Sequence, residues 1–580
     1  MRPMPTKSSS PGPWVHGVGV TLALTQVLFL PSAHSPFRVV KEAWALSTLS
    51  VLVAVVCLVA ARRNTLRLPH SGLAAALLGL PLLTALSGLW ATDPRRAVFG
   101  AATTAVWSAA AIVVSGFSDA QRRVLTLWVA AGAALSSLVL IGQFFNLPLV
   151  SLPGRAAADR LRLIGTSGNP ADAAMAGVLV LPLLIPLVAR PLKRHRIIAI
   201  CMIAIIAGAI LSQSLTAWVS LGLIALLMLL VHRSRALWLS AATVAVLAIV
   251  VIGASPLSGR VAAIPTMIAE GDWNRILSAR TDGWTAALTM FTSQPATGVG
   301  NDNYSREFFS ARAAYLERGD DHGNRGEVST HFERAHNDPL EMLAEMGLVG
   351  LVWMGLFTWV LVRAVPDRLR LALAACAWLP FLMLHFPTHL AVGALPGCLL
   401  LAEFLSRSPR RHLPGPPIVD WLLVLFVLAG GWWTVDLQLR TVRLDLWRGA
   451  AEYAVTTSQS VPAAERRPVL ASLEQQAAIQ IARHPVHAGW IWRLIGKARL
   501  VDGRAAEAEG AFRRAAVLMP HEEAAFGLGE ALLRQGRYSE AIESYGPVVR
   551  MNPVLIEQIP SAEMQRLLRE RLWGRATGAR

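Results

Sequence analysis

Two arginines and a histidine in one polar stretch pose the chemical question for this chain. Arg280 opens Arg280-Thr281-Asp282-Gly283-Trp284, and the stretch closes on His331-Phe332-Glu333-Arg334-Ala335-His336-Asn337-Asp338-Pro339-Leu340-Glu341. A neutral imidazole such as His336 takes a proton from a hydroxyl near neutral pH, which is the work of a general base. Guanidinium groups are planar, multi-donor cations suited to phosphates, so Arg280 and Arg334 are candidate clamps for a diphosphate. A second polar turn, Arg162-Leu163-Ile164-Gly165-Thr166-Ser167-Gly168-Asn169-Pro170, adds Arg162 and Asn169 to the candidate anion site. Its glycines let backbone amides approach an anion, and Pro170 suits the first position of a helix whose N-terminus favours negative charge.

Each residue also has a plainer role. His336 can serve only to cap or hydrogen-bond the helix expected near Asp338-Pro339, and His331 is a rival base. Arg280 and Arg334 can pair within the loop, with Asp282 or Glu333 as partner. The Gly165–Asn169 turn can be a simple connection between spans. Asp320-Asp321 with His322 could coordinate a divalent ion but reads better as a solvated loop, and Glu341 and Glu345, one helical turn apart, either orient arginines or face solvent. The acidic residues form no recognised metal motif, and no Walker or dinucleotide fingerprint is present. Neither a metal nor a cofactor is expected. Cys57, Cys201, Cys376 and Cys398 all fall in apolar runs without close spacing, so they predict small buried hydrophobes.

The elements that must position these groups are membrane helices. The chain has 580 residues, of which 54% are hydrophobic. Apolar runs near 20 residues recur, each long enough to span a bilayer. After a Pro- and Ser-rich segment, 1–13, expected to be disordered, thirteen spans are predicted. They cover 14–30, 43–61, 72–90, 97–116, 123–142, 171–189, 197–212, 215–231, 236–254, 342–362, 371–386, 388–406 and 418–434. The first is read as an uncleaved span, with a signal peptide as the alternative. The net charge of +17 would suggest nucleic acid in a soluble chain, but most basic residues lie in short loops between spans. With the N-terminus inside, the inside loops hold 17 Lys and Arg and the short outside loops 7. That bias places the loop at 255–341, with its candidate catalytic residues, outside.

Residues 445–580 are polar and carry an internal repeat. Gly496, Ala498, Gly503, Arg504, Glu507, Ala508, Phe512 and Pro520 recur 33 residues later as Gly529, Ala531, Gly536, Arg537, Glu540, Ala541, Tyr545 and Pro553. The spacing and the small residues resemble tetratricopeptide repeats, each a helix pair. The expected architecture is thus all-α: a polytopic helical bundle of twelve to thirteen spans, a large outside loop, and an outside α-solenoid.

The ordered set of Arg280, Trp284, Gly298-Val299-Gly300, His336-Asn337 and Glu345-Met346-Gly347-Leu348-Val349-Gly350 resembles the O-antigen ligase/polymerase superfamily over roughly residues 150–405. The Gly165–Pro170 turn is similar to a turn of that family. The resemblance implies a glycan donor carried on undecaprenyl diphosphate and an acceptor hydroxyl on lipid A-core, another glycan or a protein. It implies His336 as base, Arg280, Arg162 and Asn169 at the donor diphosphate, where Arg334 joins them on its chemistry alone, and Asn337, Glu345, Trp284 and Gly300 in support. It further implies metal-free inversion at the outer face of a bacterial inner membrane. Leu215 departs from the pattern, because many family members carry an arginine there. Ligase, polymerase and protein glycosyltransferase remain open. A non-catalytic scaffold that recruits a protein partner through the repeats is the alternative of another class.

Overall fold

The computed structural model describes residues 12–147, 149–150, 163–188, 195–232, 235–253, 257–318, 332–412 and 417–573. The chain is built almost wholly from helices. The N-terminal half runs α1 Pro13–Val27, α2 Val39–Arg62, α3 Gly72–Leu86, α4 Pro94–Val114, α5 Asp119–Phe144, α6 Pro170–Val178, α7 Leu181–Val188, α8 His195–Leu211, α9 Leu215–His232 and α10 Arg235–Gly253. Four helices follow: α11 Leu257–Glu270, α12 Trp273–Ile276, α13 Arg280–Ser293 and α14 Tyr304–Glu317. The bundle resumes with α15 Asp338–Ala364, α16 Arg368–Leu384, α17 Ala391–Leu405 and α18 Pro417–Ser458. The polar end of the chain holds α19 Ala463–Arg483, α20 Ala488–Val501, α21 Ala505–Leu518, α22 Glu522–Arg534, α23 Tyr538–Met551 and α24 Ala562–Trp573.

Among the described residues, eight helices are long and apolar enough to cross a membrane. Each of the thirteen predicted spans coincides with helix, but α1, α3, α8, α16 and α17 have only 15 to 17 residues, and the 171–189 span is divided between α6 and α7. The bundle turns a belt of large apolar side chains outward, among them Val55, Leu82, Ile203, Val352, Trp359 and Phe426. Water does not favour such a surface, and lipid does. The chain is a multi-pass membrane protein.

Two boundaries differ from the sequence reading for physical reasons. The stretch at 255–341 is not a plain loop: α11 to α14 fill much of it. Their polar composition hid them from a reading tuned to apolar runs. The helix of the last predicted span does not stop at 434, because α18 continues unbroken to Ser458 and carries the chain into the repeat region.

The bundle has two distinct ends. At one, Arg122 and Arg370 both donate to the Glu403 carboxylate, at 2.9 and 2.6 Å. A two-stranded antiparallel staple, β1 Arg67–Pro69 with β2 Arg410–His412, closes the same end. At the other end, the Thr92 amide donates to the Val299 carbonyl and the Asp93 amide to Asn303 Oδ1, joining the α3–α4 connection to the segment before α14. The repeat region meets this second end as well. His34 Nδ1 lies 2.8 Å from Glu452, the Ser35 amide donates to Asp445, and Arg306 donates to the Leu518 carbonyl.

Within the repeat region, helices α20 to α23 pack in sequence, each on the next. The 33-residue recurrence has a contact behind it. A Cβ on Gly496 would lie 2.8 Å from the Phe512 ring, and one on Gly529 would lie 2.8 Å from the Tyr545 ring. The glycine of one helix is the seat of an aromatic ring from the following helix.

Candidate active site

His336 sits at the junction where the chain enters α15. Asn337 caps that helix, its Oδ1 accepting from the Leu340 amide, while its Nδ2 donates to the Met383 carbonyl at 3.1 Å. His336 itself has φ +54, a left-handed backbone that a non-glycine residue holds only when its surroundings impose it. The ring lies among aromatics. It stands edge-on to Phe332 and to Phe386, and it stacks on His385 at 5.6 Å with the two planes 3° apart. Its Nδ1 is buried without a hydrogen-bond partner among the described residues. Burial, then the neighbouring His385, then Arg280 hold His336 well below the usual histidine range. The ring is therefore neutral at neutral pH, the state in which an imidazole can accept a proton.

His385 joins the C-terminal end of α16 to the next turn, and the sequence reading treated it only as part of a weak break between spans. Its Nε2 lies 2.6 Å from Asp172 Oδ1. With a carboxylate oxygen as acceptor, Nε2 is the donor of this pair and Nδ1 is the ring's second nitrogen. That Nδ1 is also buried without a partner among the described residues. Asp172 belongs to the first turn of α6, just past the Gly165–Asn169 turn. Two sequence-distant polar motifs thus meet through a pair of side chains that neither motif contains.

Arg280 begins α13. Its Nε donates to the Leu384 carbonyl at 2.7 Å and its Nη1 to the Leu277 carbonyl at 3.0 Å, which fixes the guanidinium beside His385 and His336. Asn169 caps α6, accepting from the Ala171 amide, and is exposed. Below it the turn is well anchored. The Gly165 amide donates to Gln143, and the Thr166 hydroxyl donates to the Gln26 carbonyl at 2.7 Å. Arg162 and the rival base His331 lie outside the described residues, as do Asp320, Asp321 and His322.

Arg334 is placed differently from Arg280. Its two terminal nitrogens donate to Asp302 at 2.7 Å and Glu341 at 2.9 Å. Burial alone would lower its pKa, but these carboxylates more than offset that and hold it well above the ordinary arginine value. The partners expected from sequence lie elsewhere. Asp282 pairs with Arg312 at 2.5 Å, and Glu333 pairs with Arg38 at 2.7 Å. Glu341 also accepts from the Ala335 amide, so it braces the backbone next to His336. His389 adds a third contact to Glu341, at 3.3 Å.

The supporting residues act through packing. Glu345 accepts from the Tyr304 amide at 3.0 Å and ties α15 to α14. Gly300 has φ +93, and its amide donates to the Glu345 carbonyl. A Cβ there would fall 2.2 Å from that of Ala91, so only glycine lets these backbones approach. Trp284 presents a buried indole N–H without a partner among the described residues. Leu215 opens α9 and is partly exposed.

The site thus gathers a neutral histidine, a carboxylate-bound histidine and a fixed guanidinium at one end of a membrane bundle. This set can accept a proton from a hydroxyl and face an anion. Residues 197–355, which hold Arg280 and His336, match the family model described as O-Antigen ligase. No curated protein matches the chain. The match supports a ligase- or polymerase-type glycosyltransferase acting on lipid-linked glycans.

Proposed function

We propose that the chain transfers a glycan from an undecaprenyl-diphosphate donor to an acceptor hydroxyl, in the manner of an O-antigen ligase. The observation that carries the reading is the convergence of Arg280, His336 and the His385–Asp172 pair within one site. Transfer of this kind needs little beyond a base, a held leaving group and exclusion of water.

The acceptor oxygen attacks the anomeric carbon while the bond to the diphosphate oxygen breaks. The acceptor proton passes to neutral His336, and the bonding electrons leave with the diphosphate. A single displacement of this kind inverts the anomeric centre. Arg280 faces the leaving diphosphate, and the Gly165–Asn169 turn with Arg162 supplies the rest of the donor site. Arg334, held by Asp302 and Glu341, serves chiefly to brace the His336 junction. Asp172 holds the His385 ring in one tautomer against His336, the way a carboxylate orients a catalytic imidazole. The energy lies in the diphosphate linkage, so no metal or nucleotide is called for. We place the site and the repeat region on the periplasmic face of the inner membrane, as the loop charges imply.

The test uses purified full-length protein with an undecaprenyl-diphosphate-linked glycan and a hydroxyl acceptor. Wild type should form the glycosylated acceptor. Arg280→Ala should raise the donor KM by roughly 10- to 100-fold, the effect of losing a charge-assisted hydrogen bond, and Arg280→Lys should restore part of it. No transfer by wild type, or an unchanged donor KM in Arg280→Ala, overturns the reading. Deletion of the gene then separates ligase from polymerase: loss of long glycans from lipid A-core marks a ligase, and single-unit products mark a polymerase.

A further inference from the structure

A cleft of about 800 Å³ lies between the repeat region and the membrane bundle, outside the site described above. One wall is the face formed by α18, α20 and α22, with Arg448, Glu452, Thr456, Gln459, Arg493 and Lys497. The rim on the bundle side is His34 and Glu333. Glu333 is held by Arg38 at 2.7 Å and lies three residues before His336. Three residues of extended chain span at most about 11 Å, so the cleft opens within reach of the candidate base.

The lining chemistry is specific. Five basic side chains, Arg448, Arg466, Arg493, Lys497 and Arg534, face five acidic ones, Glu333, Glu452, Glu522, Glu523 and Glu530. They alternate and pair: Glu452 with His34 and Arg448, and Glu523 with Arg493 and Lys497. A polyanion or polycation would meet as many like charges as opposite ones. A neutral ligand rich in hydroxyls meets donors and acceptors in alternation, which each hydroxyl can satisfy both ways. Arg493, nine-tenths buried, is a fixed part of this wall, its Nη1 held 3.0 Å from Glu523. The apolar lining is small, namely Val455, Leu494, Leu500 and Val501, and offers no deep pocket for the side chains that anchor a peptide.

We infer that this cleft binds the acceptor as a neutral, hydroxyl-rich oligosaccharide and feeds its end to His336. The inference rests on the transfer reading above and adds the acceptor's class and path. In it the repeats are a substrate-binding wall of the enzyme.

The test fills the cleft without touching its ion pairs. Thr456 and Gln459 are exposed residues of its lining, so Thr456→Trp and Gln459→Trp add bulk where the fold has room. The probe is the dephosphorylated oligosaccharide released by mild acid from the surface glycolipid of the producing cells, labelled at its reducing end. It should bind purified full-length wild type, and each Trp variant should weaken binding at least tenfold. In the transfer assay the same variants should raise the acceptor KM by a similar factor, with kcat and the donor KM unchanged. A monosaccharide acceptor, too short to occupy the cleft, should be used equally by wild type and variants. Equal binding of the probe by wild type and both variants overturns the inference, as does displacement of the probe by unglycosylated polypeptide. Failure of wild type to transfer glycan from the lipid donor, with binding as described, overturns the transfer reading instead.

Discussion

The site end of the bundle and the repeat region are both helical, yet they are held together by opposite means. In the repeats, Gly496 seats Phe512, and Gly529 seats Tyr545 by the same rule one unit later. Their ion pairs stay within one helix, such as Arg513 with Glu509, or join helices close in sequence, such as Arg537 with Glu509. At the site the deciding contacts join distant parts of the chain: Asp172 with His385, Arg38 with Glu333, Asn337 with Met383. Strained backbone also gathers there, with Ser278, Ala279, Asp302 and His336 all at positive φ. Local repetition makes a scaffold tolerant of change. Long-range convergence makes a site in which one substitution disturbs several elements.

The comparison breaks most sharply at His336. His336→Ala should lower the transfer rate by roughly 10²–10⁴-fold, the range of general-base catalysis, with normal amounts of protein in the membrane. A wild-type rate in this variant would move the base elsewhere. The pH profile sharpens the same point. Because burial holds His336 well below 6.5, the ring stays neutral as pH falls through the ordinary histidine range. The wild-type rate should hold steady down to pH 6.5 and fall only below it. A rate already halved at pH 6.5 would contradict a buried neutral base.

Asp172→Asn comes next, and it tests whether convergence matters at a distance in sequence. The isosteric amide keeps the volume but not the acceptor-only carboxylate. Transfer should drop roughly 10- to 100-fold, as when a partner that orients a functional imidazole is lost. The loss should appear in kcat, with the donor KM little changed, and a loss confined to KM would make Asp172 a donor contact.

Smaller effects separate the two regions by stability. Gly300→Ala combines a positive φ with a 2.2 Å approach to Ala91, so it should cost about 1–3 kcal/mol in thermal unfolding of the full chain. Gly503 and Gly536 occupy equivalent places in the repeat, at φ +83 and +77, and a Cβ at either meets open space. Each Ala variant should cost only the left-handed strain, about 1–2 kcal/mol, and the two should agree within error. Unequal costs would show that the repeats are not structurally equivalent.

How much of this was legible in the sequence follows the same division. Apolar runs foretold helices because burial in lipid leaves a continuous signature, and the repeat showed because one packing rule recurs every 33 residues. Asn337 and Asn169 could be read as helix starts, since each caps a helix that begins with or near proline. The break within the predicted 171–189 span, between α6 and α7, left no polar mark. The ion-pair partners of Arg334 and Glu333 were not legible, because Asp302, Glu341 and Arg38 are brought to them by the fold and not by proximity in the chain. His385 and Asp172 were missed for that reason as well. Each is an ordinary residue at an ordinary helix end until the bundle brings them together.

Helix α18 is also a mechanical element. Its 42 residues make a rod of roughly 63 Å at 1.5 Å per residue, about twice the thickness of a hydrocarbon core. One half begins among the apolar helices, and the other half supplies Arg448, Glu452, Thr456 and Gln459 to the cleft. Membrane anchor and cleft wall are therefore a single lever with no joint. A few degrees of tilt at the bilayer end would carry the far end of such a rod, and with it the wall that faces His34 and Glu333, by several ångströms.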